Sequence, residues 1–146
     1  MKRRIVGIAV LSMATCLLSI ARQEPIEELM AKAEAATGAD KADLCMKVAD
    51  RELKLTLTAY KANKPNEGNT ALDQVVKYSD MAHTAAIESG KKLKGTEIKI
   101  RKIAEHLHDL KFNADAYDQP VIQTAIDKLQ EFRTELLKTM FGSKKK

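Results

Sequence analysis

An all-α fold is the class that the sequence predicts: an antiparallel helical bundle of four main helices plus a short N-terminal helix. Apolar residues recur at the three- and four-residue spacing of an amphipathic helix through most of the chain. No segment shows the alternating apolar pattern of a half-buried strand over more than a few residues. The content of six Gly, three Pro and no Trp in 146 residues also favours helices joined by few tight corners.

The N-terminus, residues 1–21, is predicted to be a secretory signal peptide. A basic MKRR precedes an apolar run that begins at Ile5 and ends in a Ser-Ile-Ala cleavage sequence at Ala21. Two alternatives stay open: the segment remains uncleaved as a membrane anchor, or Cys16 is lipidated. Cleavage after Ala21 predicts a periplasmic or secreted protein, which contacts a membrane only if the segment is uncleaved.

Residues 22–141 are predicted to form a single helical domain. The first helix is expected over about 25–37, with Pro25 in its first turn and Gly38 at its stop. Asp40 is expected to cap a second helix that runs to about Lys64. The breakers in NKPNEGN then end that helix, and its apolar rows on two sides predict a central place in the bundle.

Three cues predict where the later helices begin. Thr70 and Thr96 are expected to cap the third and fourth helices, the latter ending near Asn113. Pro120 is expected at the start of the last helix, whose apolar stripe continues to Met140. The remaining residues, 142–146, read GSKKK and are predicted to form a basic disordered tail.

The second half of the chain carries a resemblance to a known group of proteins. AIESGKKLKGTEIKIRKIAEHLHDLK is followed by DQPVIQTAIDKLQEFRTELLKTMF, and together they cover residues 86–141. This pattern resembles uncharacterised secreted helical proteins of acidobacterial type. The resemblance implies a secreted helical protein of unknown role, and it supplies no site residues.

The net charge of +5 comes from the two ends of the chain. Of the 25 basic residues, Lys2, Arg3 and Arg4 lie in the predicted signal peptide, which has no acidic residue, so cleavage leaves 22 against 20 acidic residues, or +2. Setting aside the three lysines of 144–146 leaves −1 for the folded body. Nucleic-acid-binding domains usually have clustered Lys and Arg and a pI above about 9, so no nucleic-acid partner is expected.

Two acid-x-x-His pairs raise the question of a dinuclear metal site: Asp80 with His83, and Glu105 with His108. Di-iron bundles point such ligands inward. At about 100° per residue, Glu105 falls on the polar arc of its helix, and the acids of the last helix, Glu135 among them, are predicted to lie opposite its apolar stripe. No dinuclear site is therefore predicted.

A mononuclear site is not predicted either. His106 and His108 are two residues apart on a helix, so their imidazoles point about 200° away from each other and do not readily share one zinc ion. The Cys-x-x-Cys-His sequence of covalent haem attachment is absent. No cofactor is expected.

Cys45 would be the one cysteine of the cleaved chain, so no intramolecular disulfide is possible. Val48 and Ala49 lie one turn away and no basic cue favours a thiolate, so a buried, inert side chain is the interpretation. A disulfide that links two copies through Cys45 and a catalytic thiol are the alternatives. Hydrolase and phosphate-binding signatures are missing, so no enzyme activity is predicted.

The segment KKLKGTEIKIRKIAEHLHDLK, residues 91–111, holds seven Lys and Arg. Most of these are expected on the solvated face of the fourth helix. Lys91, Lys92 and Lys94 differ because they lie in a Gly-flanked turn, and they are the tentative contact patch for an acidic partner or anionic headgroups.

The sequence therefore favours a secreted or periplasmic, non-enzymatic helical protein with an interaction or structural role. Its partner would be an unknown protein or a component of the cell envelope. The alternative is an extracytoplasmic helical bundle that binds a metal or another ligand.

Overall fold

The computed structural model describes residues 23–142, so the predicted signal peptide and the lysines of the tail lie outside the described residues. The all-α class is confirmed, because residues 23–142 contain five helices and no strand. The helices are α1 Ile26–Ala35, α2 Gly38–Lys61, α3 Pro65–Ser89, α4 Leu93–Asn113 and α5 Gln119–Phe141. Within the described part of the chain, no helix is both long enough and apolar enough to cross a membrane.

The four long helices run alternately up and down as two hairpins. In the α2–α3 hairpin, Gly38 lies beside Ser89 at one end and the Tyr60 ring lies against Gly68 at the other. In the α4–α5 hairpin, Glu97 near the start of α4 contacts Arg133 near the end of α5. The hairpins pack together mainly through α3 and α5.

The short helix α1 lies on α2 and covers only part of it. The Cys45 thiol is 4.0 Å from the Ala33 carbonyl oxygen, and the Arg51 guanidinium donates to the Glu24 carbonyl oxygen at 2.5 Å. With a rise of about 1.5 Å per residue, the 10 residues of α1 span about 15 Å while the 24 residues of α2 span about 36 Å. The last part of α2 is therefore left without a partner on this side.

A single apolar core joins all five helices. Its largest fully buried side chains are Tyr78, Met46, Leu72, Ile100, Ile103, Leu107, Ile122, Ile126, Leu129 and Leu136. Alanines predominate between α2 and α3, which lets these two backbones approach closely: Ala42, Ala49, Ala82 and Ala86 are all at or near zero exposure. The close α2–α3 packing makes this hairpin the centre of the bundle, as the two apolar rows of the second helix predict.

The predicted break at NKPNEGN is wrong in extent. Helix α3 begins at Pro65, so only Ala62 to Lys64 connect it to α2. Asn63 supplies the left-handed conformation of this turn, with φ of 58°. Gly68 lies inside α3, where a Cβ would come within 2.7 Å of the Tyr60 ring, so this glycine permits close packing and does not break the helix.

The three predicted caps are also wrong. Helix α2 starts at Gly38, before Asp40, and has no side-chain cap. The Thr70 hydroxyl lies within α3 and donates to the Asn66 carbonyl oxygen at 3.0 Å. Helix α4 starts at Leu93, and Thr96 is buried at 2 % exposure in its first turn. The tertiary packing that buries Thr96 outweighs the weak local preference of a threonine for the helix end.

Candidate functional site

The predicted contact patch lies where α3 meets α4: Lys91 and Lys92 are in the short connection, whereas Lys94 and Gly95 lie in the first turn of α4 and not in a turn flanked by two glycines. Lys91, Lys92 and Lys94 are all exposed, and these three residues are called the lysine turn below. Gly90 and Lys92 both adopt left-handed backbone conformations, with φ of 64° and 63°. The Lys91 backbone N–H donates to the Ser89 hydroxyl oxygen at 3.2 Å. The backbone of the turn is thus held in one defined conformation.

Lys92 differs from its two neighbours because it is tied to the bundle. Its ammonium nitrogen is 2.8 Å from a carboxylate oxygen of Asp43 on α2, and Lys99 lies 3.8 Å from the other oxygen. The hydrogen bond from Lys92 lowers the pKa of Asp43, and the same contact raises the pKa of Lys92. Lys92 therefore has a structural role, joining the start of α4 to the start of α2.

Lys91 and Lys94 have no ion pair with any residue of the described range 23–142. The C-terminus of α5 lies at the same end of the bundle, where the Phe141 side chain is 70 % exposed. This end therefore combines two unpaired ammonium groups with a large exposed aromatic ring. An exposed aromatic side chain is a frequent feature of protein contact surfaces.

The histidine on α3 is involved in packing between helices. His83 is 7 % exposed, and its ring stacks on Phe132 with the centroids 5.0 Å apart. Its Nε2 is 2.6 Å from a carboxylate oxygen of Glu135, while Nδ1 lies 3.4 Å from Asp80 without hydrogen-bonding geometry. Glu135 thus reaches the α3–α5 interface, which corrects its predicted place opposite the apolar stripe.

The two carboxylates face different nitrogens of the His83 ring and so do not converge on a single ion position. Among residues 23–142, no group of three His, Cys, Asp or Glu side chains is arranged to hold a metal. His106 and His108 are both exposed on α4.

Cys45 is completely buried, at 0 % exposure, between α1 and α2. Burial raises the pKa of its thiol, which disfavours the nucleophilic thiolate. A disulfide between two copies through Cys45 would need the α1–α2 contact to open first.

Two polar contacts between distant parts of the chain carry no signal in the sequence. Arg133 on α5 donates to Glu97 on α4 at 2.5 Å, and Glu97 is 8 % exposed. The Tyr78 hydroxyl, at the centre of α3, donates to Glu34 on α1 at 2.8 Å. Burial together with this hydrogen bond raises the pKa of Tyr78 to about 12. Both contacts hold helices together and neither lies in an open cavity.

A groove of about 520 Å³ lies between the end of α2 and the start of α3, and it is called the α2–α3 groove below. Its lining residues are Glu52, Leu55, Thr58, Ala59, Ala62, Lys64, Glu67, Thr70, Ala71 and Gln74. Leu55 also lines a smaller cavity beside the start of α1, so the groove begins at the point along α2 where α1 no longer covers it. The sequence did not point to this groove, because it depends on the unequal lengths of α1 and α2.

Glu52 is the one carboxylate at the buried side of the α2–α3 groove. The residue is 5 % exposed, its carboxylate oxygens still reach solvent in the groove, and the carboxylate has no hydrogen bond or ion pair with the residues that the structure describes. Burial raises the pKa of the Glu52 carboxyl. The neighbouring Arg51 does not neutralise it directly, since its guanidinium is bonded to the Glu24 carbonyl oxygen.

Comparisons of the chain with protein-family models, with curated proteins and with solved structures found no match.

Proposed function

We propose that this protein is a secreted or periplasmic, non-enzymatic helical protein that binds an acidic macromolecule or an envelope component through the lysine turn. The exported location rests on the predicted signal peptide of residues 1–21. The binding role rests on one observation: Lys91, in the α3–α4 connection, and Lys94, in the first turn of α4, are exposed on an ordered backbone and have no ion pair within residues 23–142.

A rigid turn favours this role for a physical reason. Binding costs free energy when loops and side chains must be ordered, and a turn that already has one conformation avoids the backbone part of that cost. Exposed ammonium groups mainly speed the encounter with an acidic surface, and salt screens this attraction. Binding through the lysine turn should therefore depend strongly on salt concentration.

The test is a pull-down from the envelope fraction of the source cell with wild-type protein and with the variant Lys91→Gln/Lys94→Gln. Lys92 is left unchanged in this variant because its ion pair with Asp43 is structural. At low salt the variant should recover several-fold less of each specific partner, and at high salt the two proteins should recover equal amounts.

A matched control carries two substitutions at exposed lysines on α2, away from the lysine turn: Lys54→Gln and Lys61→Gln. Neither lysine has an ion pair with the described residues, so the control loses the same net charge. Equal loss of partners with the control would show that only the total charge matters. Undiminished recovery with the variant at low salt would remove the lysine turn from the proposal.

The exported location has its own test. Mass spectrometry of material from the medium or periplasm should find Arg22 as the first residue. A full-length product in the membrane fraction would establish the segment as an anchor, and a lipid-modified Cys16 would establish a lipoprotein.

The second candidate function, a ligand-binding bundle, is favoured by the α2–α3 groove. Its volume of about 520 Å³ is in the range of about 300–1,000 Å³ that is typical of small-molecule sites. Elemental analysis and native mass spectrometry of protein made in its own compartment separate the two candidates. A stoichiometric metal or small molecule would favour the second.

A further inference from the structure

We infer that the α2–α3 groove is a binding site for a small amphiphilic amine, with the ammonium group on Glu52 and the apolar body along Leu55, Ala59 and Ala71. This site is independent of the lysine turn, so either proposal stands if the other fails.

The Glu52 carboxylate defines the charge of the ligand. The side chain is buried except where its carboxylate oxygens face the groove, and a carboxylate held beside apolar walls gains from a partner of opposite charge. Glu52 lines the groove at 5 % exposure, yet it has no such partner among residues 23–142. An ammonium group placed in the groove would supply both the opposite charge and hydrogen-bond donors.

The walls of the groove define the rest of the ligand. Leu55 is 50 % exposed, which is unusual for a leucine beside a core, and Ala59, Ala62 and Ala71 add small apolar surfaces. These alanine side chains are too short to fill the space between α2 and α3. An alkyl or aryl stem would cover this surface, and burial of apolar area favours binding by about 25 cal/mol per Å².

The other charged groups of the groove do not compete for the same ligand atom. Lys64 and Glu67 lie at its mouth, 3.2 Å apart, and pair with each other; their side chains are 58 % and 66 % exposed. Glu52 is thus the one unpaired charge among the groove residues. An anionic ligand would meet Glu52 with the wrong sign, and a neutral ligand would leave it unpaired.

The probe is hexylammonium, the protonated form of hexylamine at neutral pH, followed by NMR of the methyl groups of Leu55, Ala59 and Ala71. Hexanol and hexanoate serve as neutral and anionic probes of the same length. Hexylammonium should shift these methyl signals and saturate, while hexanol should bind at least about tenfold more weakly because it makes no charge-assisted bond. Hexanoate should not bind.

Two variants test whether the Glu52 carboxylate is the group that binds the ammonium group of the probe. Glu52→Gln should weaken binding of hexylammonium at least about tenfold, down to the level of hexanol. Glu67→Gln is the matched control at the mouth of the groove, and it should leave the affinity within about twofold because Glu67 is exposed and screened.

A third variant keeps the proposal testable if Glu52→Gln does not fold. Thr70 is exposed and lines the groove, so Thr70→Trp should block the apolar part and abolish the methyl shifts with Glu52 intact. Equal binding of hexylammonium and hexanol, or no effect of Glu52→Gln or of Thr70→Trp, would overturn the inference. Concentration-dependent shifts of the same methyl groups without any probe would also overturn it, since they would assign the groove to contact between copies of the chain.

Discussion

Replacing Arg133 by Met should test whether the contact between α4 and α5 holds the second hairpin in register. Arg133 donates to Glu97 at 2.5 Å, and the two side chains are 32 % and 10 % exposed. The methionine keeps most of the apolar stem of the arginine and removes only the guanidinium. Glu97 is then left as a buried carboxylate whose nearest remaining cation is Arg101, at 4.0 Å.

The size of the effect follows from burial. Removing one partner of a fully buried ion pair costs about 3–5 kcal/mol, whereas an exposed pair contributes about 0–1 kcal/mol. Arg133 is one-third exposed and Arg101 can partly replace it, so we expect a loss of about 2 kcal/mol in the free energy of unfolding. For a domain of about 120 residues this corresponds to a fall in Tm of about 8 °C.

The assay is thermal and urea unfolding followed by circular dichroism, with Lys128→Met as the matched control on the same helix. Lys128 pairs with Glu131 at 3.1 Å, but both side chains are more than half exposed, so this substitution should cost less than about 0.5 kcal/mol. The double variant Glu97→Leu/Arg133→Met should be more stable than Arg133→Met alone, because no buried charge is left without a partner. If Arg133→Met and Lys128→Met have equal effects, the contact contributes nothing beyond a surface ion pair and the reasoning is refuted.

Three further predictions concern the α1–α2 and α2–α3 contacts. Cys45 should react with a thiol reagent only as fast as the protein unfolds, because the side chain is fully buried and burial raises the pKa of its thiol. Labelling is followed by mass spectrometry, and rapid labelling of the native protein would contradict the place of Cys45 in the core. Glu52→Gln should be more stable than wild type at neutral pH, and in urea unfolding this difference should shrink as the pH falls toward the ordinary Glu value of 4.5. A raised pKa in the folded state means that wild-type stability decreases as the pH rises above that value, so an equal difference at every pH would contradict the burial of the Glu52 side chain. Gly68→Ala should lower the free energy of unfolding by about 1 kcal/mol, measured by thermal unfolding, because the new Cβ would meet the Tyr60 ring at 2.7 Å. In a Tyr60→Ala background the same substitution should raise the free energy of unfolding, since alanine favours the helix more than glycine does. A destabilising effect in both backgrounds would count against the close packing of Gly68 on Tyr60.

The helices themselves were predictable because their evidence is local. Apolar spacing marks each helix within its own segment, and α3 ends at Gly90, a residue that readily adopts the left-handed backbone conformation found there. Helix starts were predicted less well. Thr70 and Thr96 suit a cap by residue type, but α3 already begins at Pro65 and α4 at Leu93, so both threonines lie inside helices.

The features of the candidate sites were also predictable only where they depend on residues close together in sequence. Lys94 and Gly95 lie in the first turn of α4 and not in the predicted turn, but the exposure of the three lysines was predictable because they are neighbours in sequence next to glycines. The structural tie of Lys92 to Asp43 was not, because 49 positions of sequence numbering separate the two residues and only helix packing brings them together. The α2–α3 groove also carries no pattern in the sequence.

By itself, the sequence determined the all-α class, the number of helices and their apolar faces, since each depends on contacts within a few residues of the chain. Only the tertiary structure decided that Glu97 meets Arg133, 36 residues later, and that His83 meets Glu135, 52 residues later. It also decided that Glu52 lines an open groove without a hydrogen-bond or ion-pair partner for its carboxylate among residues 23–142. These outcomes depend on how far one helix extends along another, and a charged residue on a helix gives no local sign of which neighbour will cover it.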